Sequence, residues 1–330
     1  MASNLRILVA ESTGFSSRAA AVLQQIGVPT FGDLNRDELL SQVQDADVLW
    51  VRLRHLIDGE ILRRATKLRM IVTPTTGLNH IDTAEAERLG VDVLSLRGHT
   101  DFLRNIRATA EHTMALILSL LRHVPEAVSH VKDGGWNRDE FKGNELYGKT
   151  VGIVGYGRIG QLVGKYLSAF DTRILAADPN FAQSDAGGAV NVSLFELLTE
   201  SDIVTLHVNY SADKQGWFAE LQFSAMKQGA YFVNTSRGEL VNEAALIDAL
   251  RTNKIAGAAL DVVANEQSLG SENNPLIAYG HKNRNLLMTP HIGGCTIESM
   301  EKTEFFLAER LAEMLWSTSP YSRSITANTK

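Results

Sequence analysis

"VGIVGYGRIG", Val151 to Gly160, is the stretch that decides the fold. A β-branched apolar run ends at a glycine, and two more glycines follow as the chain turns into a helix-like segment. Gly155, Gly157 and Gly160 form the pattern G-x-G-x-x-G. The first glycine permits a tight turn, the second lets a pyrophosphate approach the backbone, and the third lets helix and strand pack closely, with the helix N-terminus facing the phosphates. The next apolar run ends "ILAADPN", which puts Asp178 18 positions beyond Gly160 (178 − 160). That is close to the ~20 expected of an acid that accepts hydrogen bonds from a ribose. A carboxylate there repels a 2′-phosphate, so NAD is the expected cofactor rather than NADP.

About 150 residues precede this stretch. Among them "LRILVA" (5–10), "ADVLWV" (46–51), "RMIVTP" (69–74) and "VDVLSL" (91–96) read as strands. "SRAAAVLQQIG", "RDELLSQVQ", "DGEILRRA" and "DTAEAERLG" read as the helices between and after them. Such alternation gives a parallel sheet covered on both faces. A single long helix is expected from about 108 to 132, and the alternation then restarts at 150. Further strands are expected at 172–177, 202–208, 230–234, 257–262 and 285–290, with a last helix from about 297 to 317. The fold class is therefore α/β with two doubly wound units.

Length and composition agree. A chain of 330 residues exceeds one ordinary core, and 44% hydrophobic with 21% charged residues is usual for a globular protein. The net charge of −6 without a basic block argues against nucleic acid. Nothing reads as a signal peptide or a membrane span. The one cysteine, Cys295, cannot form an internal disulfide or a cysteine-rich metal site, and it reads as a small packed residue. A cytoplasmic location is expected, and no metal.

Ligands of open α/β sheets bind beyond the carboxyl ends of the strands. Arg237 follows "YFVNTS", Glu266 follows "GAALDVVAN" and His291 follows "LLMTP". Together they offer a fixed cation for a carboxylate, an acid to orient an imidazole, and an imidazole to move a proton. A nicotinamide that moves a hydride needs such a set beside it.

The stretches "GKTVGIVGYGRIG", "NTSRGELVNEAAL", "GAALDVVANEQ" and "TPHIGG" resemble the D-isomer-specific 2-hydroxyacid dehydrogenases, over nearly the whole chain. The resemblance implies a Rossmann nucleotide domain, 101–296, inserted into a flavodoxin-like substrate domain, 1–100 and 297–330, with a cleft that closes on the substrate. It implies Arg237, Glu266 and His291 as the catalytic residues. It implies cofactor contacts from Gly155, Gly157, Arg158, Ile159, Gly160, Asp178, His207, Ser236, Asp261 and Gly293. The segment at Gly77 and Leu78 would bind the substrate carboxylate through backbone N–H groups. Two departures stand out: Gln267 replaces the proline that usually follows the glutamate, and "TPTTGLNHID" (73–82) is poorer in glycine than usual.

Within the family, "WVRLRHLIDGEIL" and "HVKDGGWNRDEFKGNELYGKT" look most like phosphoglycerate dehydrogenases, without their C-terminal regulatory domain. That resemblance would make Arg52, Arg54 and Arg138 substrate cations, since guanidinium groups suit phosphate oxygens. The expected partner is a small anionic 2-hydroxy or 2-oxo acid, with 3-phosphoglycerate the candidate that this resemblance names. The expected assembly is a homodimer that buries Trp136 and presents Arg138 to the neighbouring site. Two alternatives stand beside this reading: an NAD-sensing corepressor-like protein, and another NAD dehydrogenase on the same plan, such as one for formate or phosphite.

Overall fold

A computed structural model describes residues 5–181, 187–268 and 274–317. The chain separates into two compact units. One is built from the described residues up to Asn105 and from Thr296 onward, and the other is Ile106–Cys295.

The first unit holds five parallel strands, β1 (Arg6–Val9), β2 (Val28–Phe31), β3 (Val48–Trp50), β4 (Met70–Thr73) and β5 (Asp92–Ser95). Their spatial order is β2-β1-β3-β4-β5, the flavodoxin-like order with its switch point between β1 and β3. The central strands β3 and β4 are buried throughout because helices cover both faces. The helix Ser17–Ile26 begins where the Ser16 hydroxyl accepts from Ala19 N, and it buries Ala19, Leu23 and Ile26 on one stripe. Asn35 and Glu38 form a reciprocal capping box at the helix Arg36–Gln42. The C-terminal helix Ile297–Ser317 packs against Ser17–Ile26 and so returns to this unit.

The second unit holds seven parallel strands, β6 (Thr150–Val154), β7 (Arg173–Ala177), β8 (Val190–Asn191), β9 (Ile203–Leu206), β10 (Ala230–Asn234), β11 (Ile255–Leu260) and β12 (Leu286–Met288). The order β8-β7-β6-β9-β10-β11-β12 is the Rossmann order with one further strand. Its crossover is between β6 and β9, at the glycine turn. Apolar clusters fill both faces, one around Phe218, Phe223 and Phe232, the other around Ile117, Leu121, Ile153 and Leu167.

Three expectations need correction. The segment 108–132 is two helices, Ala108–Arg122 and Val124–Lys132. His123 adopts a left-handed conformation (φ 52°) and Pro125 stands in the first turn of the second helix, so the ladder cannot run through. The strands β2 and β8 were not expected: both lie on sheet edges, their residues are mostly exposed, and β2 contains Pro29, which an edge tolerates. Cys295 is exposed rather than packed, since it ends a turn in which its N–H donates to the Ile292 carbonyl.

Among the described residues, no helix is long and apolar enough to cross a membrane. None of their His, Cys, Asp and Glu groups is placed to hold a metal ion.

Candidate active site

The glycine turn joins β6 to the helix Arg158–Ser168. Gly155 has φ +87°, and a Cβ there would stand 2.7 Å from the His207 carbonyl oxygen. A Cβ on Gly160 would overlap the Gly155 carbonyl oxygen. Gly157 differs, because no described residue lies within 4 Å of where its Cβ would be. It is also the helix N-cap and has no side-chain cap, which leaves the first N–H groups of the helix for an anion. Asp178 braces the turn. Its Oδ2 accepts from Tyr156 N at 2.7 Å and its Oδ1 from Asn180 N at 2.7 Å. Open space at the second glycine, an uncapped helix start and an acid at the end of β7 fit a dinucleotide.

Arg158 donates to the Ile106 carbonyl at 2.8 Å, and burial lowers its pKa from the ordinary guanidinium value. Ile159 packs on the apolar cluster behind the turn. His207 follows β9, donates its backbone N–H to the Val154 carbonyl at 2.7 Å, and meets the Thr205 hydroxyl at 2.9 Å. The residue is half-buried, and desolvation by its packed surroundings pushes its pKa down to about 3. The imidazole is therefore neutral at neutral pH.

Glu266 and His291 are brought together, with Glu266 Oε2 2.6 Å from His291 Nδ1. Opposite a carboxylate, Nδ1 carries the hydrogen and donates, which leaves Nε2 to exchange a proton elsewhere. The other oxygen, Oε1, accepts from Val263 N at 3.2 Å and fixes the carboxylate plane. Left-handed backbone stands at His291 itself and just before Glu266. His291 has φ 53°, Asn265 just before the glutamate has φ 55°, and neither is glycine.

Asp261 shows how that strain is held. It is buried; its Oδ1 accepts from Thr289 Oγ1 (2.6 Å) and Ile292 N (2.9 Å), and its Oδ2 from Gly293 N (2.7 Å). Its carbonyl accepts from His291 N at 2.8 Å. A Cβ on Gly293 would stand 2.8 Å from Oδ2, so glycine is required. Here Asp261 clamps the loop that carries His291.

Arg237 follows β10 in extended backbone. Its Nη1 donates to the Ser236 carbonyl at 2.6 Å, and Asn234 Nδ2 donates to the Arg237 carbonyl at 2.9 Å. Ser236 is tied to the same Asn234 through N and Oγ. Burial lowers the Arg237 pKa, against the charges of Glu266 and Glu239, which raise it. Gly238 lies so close to the 263–264 backbone that a Cβ would overlap the Val263 carbonyl carbon. Thus Arg237 and Glu266 sit on loops pressed together.

Two residues of this site were not singled out from the sequence. His112 Nε2 lies 3.0 Å from Thr289 Oγ1 and 3.2 Å from Asp261 Oδ1. A histidine on an otherwise apolar helix face, in "AEHTMAL", was the available signal. Glu243, whose pKa burial raises, accepts from Ala264 N at 2.8 Å and holds the loop before Glu266. It stands inside "NTSRGELVNEAAL", and only the fold shows that it reaches residue 264.

In the first unit, Arg52 and Arg54 share the loop after β3, and the buried Glu11 carboxylate accepts from both of their backbone N–H groups. Their side chains are engaged. Arg52 Nε lies 2.8 Å from Glu304 Oε1, its Nη2 binds the same oxygen, and its Nη1 donates to the Thr13 carbonyl. Glu304 is fully buried, and burial raises its pKa against the pull of Arg52 and Ser16 N. Arg54 reaches Asp33 at 3.5 Å. Gly77 accepts from Thr75 Oγ1 at 2.8 Å, and Leu78 packs against the first unit's core. The Arg138 side chain, in the second unit, is 93% exposed, with its guanidinium 3.5 Å from Asp139.

Comparison with known proteins adds three findings. The sequence model of "D-isomer specific 2-hydroxyacid dehydrogenase, NAD binding domain" matches residues 114–293. Glyoxylate reductase of Pyrococcus furiosus is 37% identical over 289 residues, 84% of this chain and 82% of that one. D-3-phosphoglycerate dehydrogenase of Archaeoglobus fulgidus is 35% identical over 315 residues, 94% of this chain but 57% of the relative. The chain thus spans a little over half the length of the phosphoglycerate dehydrogenases it matches. Among solved structures, D-lactate dehydrogenase of Aquifex aeolicus, complexed with NAD and lactic acid, superposes with TM-score 0.80 at 26% identity, covering 94% of this chain and 96% of that one.

Proposed function

The chain belongs to the D-isomer-specific 2-hydroxyacid dehydrogenases, and from that premise we propose that it interconverts a D-2-hydroxy acid and its 2-oxo acid with NAD. The observation that carries this reading is the 2.6 Å contact between Glu266 and His291 on loops after successive strands of a nucleotide-binding sheet. Bound nicotinamide supplies the hydride acceptor or donor. The protein supplies the proton and the grip on the substrate. For reduction, protonated His291 gives the Nε2 proton to the 2-oxygen, and the Glu266 carboxylate stabilises the cation before transfer. For oxidation, neutral His291 keeps its hydrogen on Nδ1, and Nε2 takes the hydroxyl proton. Arg237 offsets the charge that builds on the 2-oxygen and binds the substrate carboxylate. We assign the backbone N–H groups at Gly77 and Leu78, in the first unit, to substrate carboxylate binding. Gly155, Gly157 and Gly160 admit the pyrophosphate and Asp178 the ribose, which favours NAD over NADP. We assign residues 1–100 and 297–330 to substrate binding and 101–296 to the cofactor.

For the substrate, the state of Arg52 matters most. Glu304 already balances its charge, so a second anion on the substrate would draw on Arg54 and Arg138. Glyoxylate and 3-phosphohydroxypyruvate mark the two ends of the range. The homodimer is supported by the segment after residue 123. The helix Val124–Lys132 buries no side chain, Val124, Val128 and Val131 are exposed, and Trp136 is 89% exposed. A second copy covering that strip would place Arg138 where a neighbouring substrate could meet it. A reducing, cytoplasmic setting suits the single exposed thiol. The test is NADH turnover with a panel of 2-oxo acids, followed by chiral analysis of the product. Turnover to D-products supports the reading, and turnover to L-products or none overturns it.

A further inference from the structure

The ends of β11 and β12 remote from Asp261 and His291 carry an open surface pocket. It measures about 450 Å³, and its lining includes Arg251, Asn253, Tyr279, Lys282, Arg284 and Asn285. Asn253 lies just before β11 and Asn285 just before β12, whereas Asp261 and His291 follow the other ends of these strands. Six residues of strand rise about 20 Å, so this cavity is separate from the Glu266–His291 pair.

Among the described residues the lining holds three cations and no acid. Both segments that supply the cations, "LRTNK" (250–254) and "HKNRN" (281–285), lack acids too, in a chain of net charge −6. Positive potential here is therefore local. The walls are built without the cations. Asn285 Nδ2 donates to the Leu250 carbonyl (3.4 Å), Tyr279 OH donates to Asn285 Oδ1 (3.1 Å), and Asn283 Nδ2 donates to the Tyr279 carbonyl (2.8 Å). Asn253 is left-handed (φ 53°), and its carbonyl accepts from Gln228 Nε2 at 2.7 Å. Arg251 Cζ lies 5.9 Å from the Tyr279 ring centroid and Arg284 Cζ 5.9 Å from that of Phe141. A guanidinium face on a ring leaves the N–H edge for an oxyanion.

We propose that this cavity binds an organic phosphate, a small molecule with one or more phosphate groups. Two guanidinium forks and one ammonium suit phosphate oxygens better than a lone carboxylate. The pocket is large enough for a small molecule but opens widely to solvent, so part of the ligand stays exposed. Leu250 and Tyr279 are themselves buried, so the ligand is held by the polar rim of the pocket. Nothing in this assignment depends on which hydroxy acid the catalytic residues accept.

The test uses pyrophosphate as probe, titrated calorimetrically into the full chain saturated with NADH, so that the glycine turn is occupied. At physiological ionic strength, one saturable site is expected. The double variant K282E/R284E should weaken it at least tenfold, the loss of charged hydrogen bonds, and leave NADH affinity unchanged. Lys282→Ala is the milder variant if charge reversal impairs folding, and it should weaken the site in the same direction. No saturable binding to the parent, or equal affinity in a folded variant, would overturn the assignment. So would binding of polyglutamate without binding of pyrophosphate, which would mark a protein-docking patch instead.

Discussion

Replacing Glu266 by glutamine tests the Glu266–His291 contact with little change in volume. In the parent, Oε2 accepts from His291 Nδ1 at 2.6 Å and Oε1 accepts from Val263 N at 3.2 Å. A carboxamide has one oxygen for these two donors. If the oxygen faces His291, the amide nitrogen meets the Val263 N–H and two donors oppose each other. If the oxygen faces Val263, the amide N–H meets His291, whose Nδ1 must then accept, and the ring hydrogen moves to Nε2. The first orientation loses the charge that supports the imidazolium, and the second gives the wrong tautomer for a base. A hydrogen bond to a charged group contributes about 1.5–3 kcal/mol. At ~1.4 kcal/mol per tenfold, kcat should fall by roughly tenfold to a hundredfold in both directions. Cofactor binding lies elsewhere, so NADH affinity should stay within about twofold. The assay is kcat and KM in each direction beside NADH affinity by fluorescence. A kcat within twofold of the parent in both directions would refute the argument.

Other outcomes follow from the same geometry. Asp178→Ala should narrow the preference for NADH over NADPH and weaken NADH binding, because it removes both the ribose acceptor and the brace on Tyr156 N; equal affinities in the parent would remove this claim. His207 bears on stability through its folded-state pKa of about 3, below the ordinary 6.5. The unfolded chain therefore gains protons first, and stability is lost as pH falls from 6.5 toward 3. At ~1.36 kcal/mol per unit this group costs up to about 2 kcal/mol at pH 5; His207→Gln should flatten that part of a urea-unfolding series, and an unchanged slope would count against it. Arg52→Ala leaves the buried Glu304 carboxylate without its cation and should cost about 3–5 kcal/mol at pH 7. A carboxyl whose folded pKa is raised loses stability as pH rises above its unfolded value, so the deficit should shrink toward pH 4.5. A deficit independent of pH would show that packing, not charge, is lost.

The fold was legible where pattern and topology coincide. G-x-G-x-x-G after an apolar strand fixed the start of the nucleotide-binding sheet, and residues 150–154 form that strand. The segments 108–132, 28–31 and 190–191 were misread for local reasons. One left-handed residue, His123, splits a continuous helical pattern, and short edge strands lack the buried run that marks a strand. At the site, Glu266 and His291 could be read as neighbours because both follow strand ends. The partners that hold them could not. His112 is 149 positions from Asp261 (261 − 112), and no periodicity links them. Glu304 was equally hidden: it reads as one more charge on the last helix, yet it is the buried counter-ion of Arg52. The sequence could suggest that Arg52 was a cation in a substrate loop, but only the fold reveals its neutralising partner.

The central claim is proton transfer by His291 beside a bound nicotinamide. The most direct measurement compares parent and His291→Ala for NADH consumption with the best 2-oxo acid, with NADH affinity measured on both. The account predicts a kcat lower by a factor on the order of 10²–10⁴, with cofactor affinity unchanged. Equal turnover by the two proteins would contradict it, as would a parent that binds NADH tightly and reduces no 2-oxo acid.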